Sequence, residues 1–205
     1  MEEIGLFPLG IVLLPSELVP LHIFEPRYRE LVGECLDEER EFGLVLADDD
    51  GLREIGTKAA VVEVVDRFPD GRLNVVVEGR GRFRLLELTD GRSFHTGTVD
   101  ELVDSDDPAP PEEIERALAL FRRLLEVTGA DVEPPDADDP QLSFSLAGRF
   151  ELAAGLKQQL LQATSERTRL VRVCEILEAA AAAVERQREI AALAGRNGRV
   201  QYPTS

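Results

Sequence analysis

The chain is poor in the residues on which most enzyme sites are built. Its 205 residues hold only two lysines (Lys58, Lys157), two histidines (His22, His95) and two cysteines (Cys35, Cys174). A phosphate-cradling P-loop needs a lysine directly after a glycine. Thr57 and Leu156 precede the two lysines, which excludes a P-loop ATPase. A Ser–Lys hydrolase would have to use the same two lysines. Lys58 has no flanking serine motif, Lys157 falls in an amphipathic helical pattern, and no G-x-S-x-G occurs. Zinc sites draw on Cys and His clustered at tight spacing. Here the four side chains are scattered, so no metal and no cofactor is expected. Two distant cysteines are not a disulfide framework. Each lies in an apolar helical pattern and reads as a small core residue. A Cys–His pair assembled only in space is the one nucleophilic arrangement that spacing leaves open.

Long apolar runs are also missing. No stretch of about 18 uncharged apolar residues exists, so no membrane-spanning helix is expected. The start, Met1-Glu2-Glu3-Ile4, is acidic, unlike a secretory signal, which makes the cytoplasm the expected address. Positive charge is scarce overall. The net charge of −17 repels a polyanion at long range, so nucleic acid is not expected as a partner. Eight acids and no Lys or Arg lie between Gly97 and Glu115, and Asp131, Glu133, Asp136, Asp138 and Asp139 form a second acidic stretch. Both read as solvated linkers. Asp48-Asp49-Asp50-Gly51 lacks the alternate spacing and distant glutamate of a calcium loop and reads as a turn.

What remains is a chain of two characters, which predicts an α+β fold. The first part, 1–104, reads as a β-rich lobe, a small curled sheet or pseudo-barrel with one helix. Gly5 to Leu14 reads as strand, turn, strand around Pro8 and Gly10, and Leu18 to Phe24 as a second extended run. Pro26 opens a helix whose Tyr28, Leu31, Val32, Cys35 and Leu36 share one face. Phe42–Ala47 is a strand. Ala59–Phe68 and Leu73–Val77 make a hairpin around Pro69-Asp70-Gly71-Arg72, and Gly79-Arg80-Gly81-Arg82 is expected to break or bend the path. Phe83–Leu88 and Phe94–Val103 are further strands. Residues 105–195 read as a helical lobe. Its expected helices start at Pro111, run over Leu142–Leu152 until Gly155 breaks them, and continue over Leu156–Ala163. A long last helix is capped by Ser165 and ended by Gly195. Past Val184 that helix is expected to project from the body, and 196–205 to form a tail.

Several of these segments carry a resemblance. Leu6-Phe7-Pro8-Leu9, Val12-Leu13-Leu14-Pro15 and Pro20-Leu21-His22-Ile23-Phe24-Glu25-Pro26-Arg27-Tyr28-Arg29-Glu30-Leu31 resemble the N-terminal, substrate-binding domain of Lon proteases. Phe42-Gly43, Ile55-Gly56-Thr57, Pro69-Asp70-Gly71-Arg72, Gly79-Arg80-Gly81-Arg82-Phe83, Lys157-Gln158 with Leu160-Leu161, and Arg169-Leu170 follow in the family's order, so that the similarity covers roughly residues 4–180. The resemblance implies a β-rich lobe followed by a helical lobe that recognises unfolded or tagged polypeptide. The expected form is the domain standing alone, without motor or protease, so ATP use and peptide cleavage are not carried over.

For the motif residues the structural reading comes first. Pro8, Pro15 and Pro26 set turns and the helix start, Phe7, Ile23 and Phe24 fill the lobe's core, and Glu25 caps the helix or pairs with Arg27 or Arg29. The sharper expectation is a groove between the lobes that accepts an apolar peptide, with His22, Arg27 and Tyr28 as its polar anchors. The function expected is non-catalytic binding of polypeptide clients, as an adaptor or regulator of proteolysis. A self-associating scaffold, dimerising through the last helix, is the alternative. A small-molecule-binding protein or hydrolase is the third class.

Overall fold

A computed structural model describes residues 1–197, the side chains through Leu193. In chain order the elements are β1 (Glu2–Leu9), β2 (Leu18–Ile23), α1 (Pro26–Glu38), β3 (Phe42–Asp48), β4 (Gly51–Leu52), β5 (Ile55–Arg67), β6 (Leu73–Thr89), β7 (His95–Glu101), α2 (Pro111–Thr128), α3 (Leu142–Ala147), α4 (Ala154–Gln162) and α5 (Glu166–Asn197). The architecture is α+β, with the strands and α1 first and helices α2–α5 after them.

The strand pairings close on themselves. β1 pairs with β7, β7 with β6, β6 with β5, β5 with β3, and β3 returns to β1, the last contact being the parallel one. The expected pseudo-barrel is therefore a closed five-strand ring, which leaves its strands no open edge to manage. Leu6, Val45, Phe83 and Val99 fill its interior. The β5–β6 hairpin is longer than the barrel is tall. Its far half extends outward and is joined by β2, which pairs with Leu73–Glu78 of β6. Helix α1 turns Tyr28, Leu31, Val32 and Cys35 onto this extension, where they meet Phe7, Phe42, Val75 and Val77.

In the helical lobe, α2 buries Ala117, Leu118, Phe121 and Leu124 and ends at Gly129, which takes the left-handed conformation (φ 74°) that glycine adopts without strain. Helices α2 and α5 run side by side in the same direction, tied by Glu113–Arg167, Arg116–Glu178 and Arg123–Glu185. Ser165 caps α5 as expected, its Oγ accepting the Thr168 N–H at 3.0 Å. The α5 residues from Arg186 to Leu193 are exposed.

Several expectations are corrected. Gly79-Arg80-Gly81-Arg82 does not interrupt the strand, since β6 runs through it for 17 residues. Gly79 is there because a Cβ at that position would run into the Leu14 carbonyl of the crossing loop. Val12–Leu14 forms no strand. It is a buried strap, held by the Thr57 hydroxyl on the Leu13 carbonyl (2.6 Å) and the Ser16 N–H on the Gly79 carbonyl (2.8 Å). Phe24 is not core, with 59% of its surface exposed. It sits two residues beyond His22, so strand alternation places it on the outer face. Helix α3 stops at Ala147 rather than Leu152, and Gly155 lies inside α4 instead of breaking a helix. Gly195 does not end α5, which continues to Asn197. Of the expected tail, residues 198–205 lie outside the described residues.

Candidate functional site

The lobes are joined through buried polar groups. Arg82 of β6 and Arg169 of α5 are 3% and 0% exposed. Asp104, between β7 and α2, binds both guanidiniums, with Arg169 Nη1 at 2.7 Å. Arg82 also donates to the carbonyls of Leu161 and Ala163 (2.7 Å each). Arg169 also donates to Ser143 Oγ (3.0 Å) and to Glu166 (2.7 Å), and lies 4.3 Å over the Phe144 ring. Two cations this deep need such a set of partners, because an unpaired buried charge costs several kcal/mol. Burial pushes the Asp104 carboxyl up, but the Arg169 and Arg82 guanidiniums outweigh it and hold the group below the usual range. For Glu166 burial wins over its Ser143 and Arg169 hydrogen bonds and holds the carboxyl above its ordinary value.

A second latch lies beside the first. Lys157 of α4 is buried against Glu17, whose other oxygen accepts the Leu14 N–H at 2.9 Å. The next residue, Gln158, donates to the Ile55 carbonyl at 3.1 Å, while its Oε1 is buried and has no hydrogen-bond partner within the described residues. Above these residues runs a cleft between the lobes. One part, of about 420 Å³, is lined by Ile11, Val12, Val19, Phe150 and Leu152, with Glu17 and Lys157 at its floor. It continues across Gly10 and Ala154 into a hollow of about 300 Å³ beside Leu46, Asp48, Arg53 and Gln158. No Cβ would meet anything at Gly10 or Gly155, so both cleft walls are open at these positions.

The three anchors expected from the sequence do not line this cleft. His22 is exposed on β2, its ring 5.8 Å from Phe24 and 6.2 Å from Phe68. Arg27 binds Glu25 at 2.8 Å and lies 4.5 Å over the Tyr28 ring. Tyr28 is buried and stacks on Phe7 at 4.0 Å. Glu25 thus takes the pairing role, and it makes no side-chain cap. Sequence reasoning missed Arg82, Asp104, Glu166 and Glu17 as a set. The motifs flagged Lys157-Gln158, Arg169 and the Gly79–Arg82 run, but the partners lie 79 and 140 residues apart for Arg82–Leu161 and Glu17–Lys157. Both thiols are buried, and burial pushes Cys35 up to about 11 and Cys174 above its ordinary value. Among the described residues no group of three or more His, Cys, Asp or Glu is placed to hold a metal ion, and no helix is long and apolar enough to cross a membrane.

Residues 3–179 match the family described as the ATP-dependent protease La (LON) substrate-binding domain. The chain belongs to this family. Among solved structures, this LON substrate-binding domain is similar to the Lon N-terminal domain protein from Xanthomonas campestris. That match has 30% identity and a TM-score of 0.68, over 84% of this chain and 97% of that one. It shares its fold with the N-terminal domain of Mycobacterium avium complex Lon protease, at 19% identity and TM-score 0.68, covering 86% and 98% of the two chains. Among curated proteins it is 24% identical to Lon protease 1 of Hydrogenovibrio crunogenus over 185 residues and 27% identical to Lon protease of Parabacteroides distasonis over 143. These alignments cover 82% and 65% of this chain but only 22% and 17% of the two proteases.

Proposed function

We propose that this LON domain binds segments of polypeptide and performs no chemistry on them, and that the interlobe cleft receives the segment's apolar side chains. The observation that carries this reading is the cleft itself. It is concave and walled by Ile11, Val19, Phe150 and Leu152. An apolar side chain matches these walls. His22 and Arg27 are proposed as polar contacts outside the cleft, with Tyr28 acting through the Arg27 guanidinium it supports. The role that follows is an adaptor or regulator of proteolysis, with polypeptide clients and without nucleic acid or membrane as partner.

The test is fluorescence anisotropy with a chemically denatured client and with apolar peptides. Binding in the micromolar range is expected, weakened about tenfold or more by Ile11→Asp or Leu152→Asp, because each places a charge in the apolar wall. No binding at high micromolar concentration sinks the reading. One observation favours a second reading, a scaffold that self-associates as a homodimer: Ile190 and Leu193 stand exposed on the projecting half of α5. It requires a solution mass that falls on truncation after Val184.

A further inference from the structure

The outer face of the β2–β6–β5 sheet is a second surface with a definite chemical pattern. Antiparallel partners point to the same side, so the register fixes three outward rows: Leu18–Glu78–Ala60, Pro20–Val76–Glu63 and His22–Asn74–Asp66. Between Val61 and Glu63, and again between Val64 and Asp66, the register shifts, and Val62 and Val65 are left standing out. The β2 side of the face is therefore apolar and aromatic, while the β5 side carries Glu63 and Asp66 beside Val62 and Val65. Leu18, Phe24, Val65 and Val62 are 61%, 59%, 53% and 45% exposed on this face. Neither Glu63 nor Asp66 forms an ion pair among the described residues.

His22 is oriented within this face. Asn74 Nδ2 donates to Asp66 Oδ2 at 2.9 Å, and a carboxylate only accepts, so the amide's orientation is set. Asn74 Oδ1 then faces His22 Nδ1 at 2.6 Å, so Nδ1 is the donor of that pair, and in the neutral ring Nε2 is the acceptor. The imidazole that presents this acceptor has the exposed Phe24 ring 5.8 Å away and Phe68 at 6.2 Å. The Phe68 face is taken by the Arg72 guanidinium at 5.0 Å, but the Nε2 acceptor, the carboxylates and the exposed Phe24 ring together suit a cation bonded to apolar neighbours.

We infer that this face docks a polypeptide segment carrying lysine or arginine beside large apolar residues. The apolar side chains lie along Leu18, Pro20 and Phe24, and the cationic head reaches His22 Nε2 or crosses toward Glu63 and Asp66. The two outer strands are about 10 Å apart, two strand spacings, within reach of a long basic side chain anchored near the middle strand. The net charge of −17 draws such a segment in from a distance. The inference rests on the proposed polypeptide binding and names the kind of client it favours.

The test uses the full chain and two fluorescein-labelled peptides, one of alternating leucine and lysine, the other with glutamate for each lysine, both read by anisotropy. The lysine peptide is expected to bind about tenfold or more tightly than the glutamate peptide, with a preference that shrinks as salt is added. Glu63→Lys should cut its binding about fivefold or more, and Phe24→Ala should do the same. Both residues are exposed, so the variants should keep the parent's circular dichroism and melting profile. A charge preference unmoved by Glu63→Lys and Phe24→Ala overturns the inference while leaving the cleft reading intact. A solution mass that drops in those two variants also overturns it, since the face would then be covered by a second copy. Loss of all binding, of the denatured client as well, removes both proposals together.

Discussion

Asp104 holds two buried guanidiniums that come from different lobes, so its removal is felt twice. Asp104→Ala leaves Arg82 and Arg169 short of their shared counter-charge and should lower stability by about 3–5 kcal/mol in urea unfolding. Its pH dependence has a fixed sign. A carboxyl held below its unfolded value adds stability above that value, about 3.9 for Asp, and loses it as pH falls through the folded value. Glu166 works in the opposite sense. Its raised carboxyl contributes below the ordinary Glu value, about 4.3, and loses that contribution as pH rises through the folded value. Asp104→Asn should therefore be less stable than the parent near neutrality yet show a flatter loss of stability below about pH 4, seen in urea midpoints taken from about pH 3 to 7. A parallel acid limb in the two proteins would rule out this role for Asp104. The thiols give a simpler expectation. Buried, and with Cys35 pushed up to about 11, neither cysteine should react with a thiol reagent at neutral pH until the chain is unfolded.

Among the elements, β6 shows how a strand can pass through residues that usually end one. Gly79 and Gly81 read as punctuation in the sequence, and that expectation fails because the strap over Val12–Leu14 needs the space a Cβ would take at Gly79. Gly79→Ala should cost about 3 kcal/mol or more, since the clash is with backbone that cannot turn aside. Gly81 has nothing nearby, so Gly81→Ala should be close to neutral in the same thermal melt. Helix α5 divides at Val184. Leu170, Val173, Cys174, Leu177 and Ala181 are buried, while Arg186 to Leu193 are exposed. Truncation after Val184 should therefore change stability by less than about 1 kcal/mol, because little apolar area returns to water.

At the scale of the whole molecule, the helical core includes Val12, Leu14, Leu46 and Ile55 from the β-rich lobe, and the Asp104 set and the Glu17–Lys157 pair cross the same junction. The helical lobe does not complete its interior alone, and these four β-lobe residues are covered only by it. The chain should unfold in one transition, with far-ultraviolet dichroism and tyrosine fluorescence giving the same urea midpoint. Two separated midpoints would mean that the junction is weaker than its burial implies.

Much of this fold is local chemistry and was legible in the chain. Pro26 opens α1, Gly129 closes α2, Ser165 caps α5, Pro69–Arg72 turns the hairpin, and Tyr28, Leu31, Val32 and Cys35 make a helical face that is in fact buried. Family motifs in order, and the lack of lysines after glycine, pointed to a binding domain rather than a motor. Closure of the barrel, the exposure of Phe24 and the burial of Arg82 and Arg169 were decided only in three dimensions. Strand periodicity says which side chains share a face, but not which face is covered. A charged side chain looks solvated in the sequence until a partner far along the chain is brought against it. The cleft of Ile11 and Phe150, and the acidic and aromatic face around His22, are of this second kind. Each is assembled from segments that only the packing of sheet, hairpin and helices brings together.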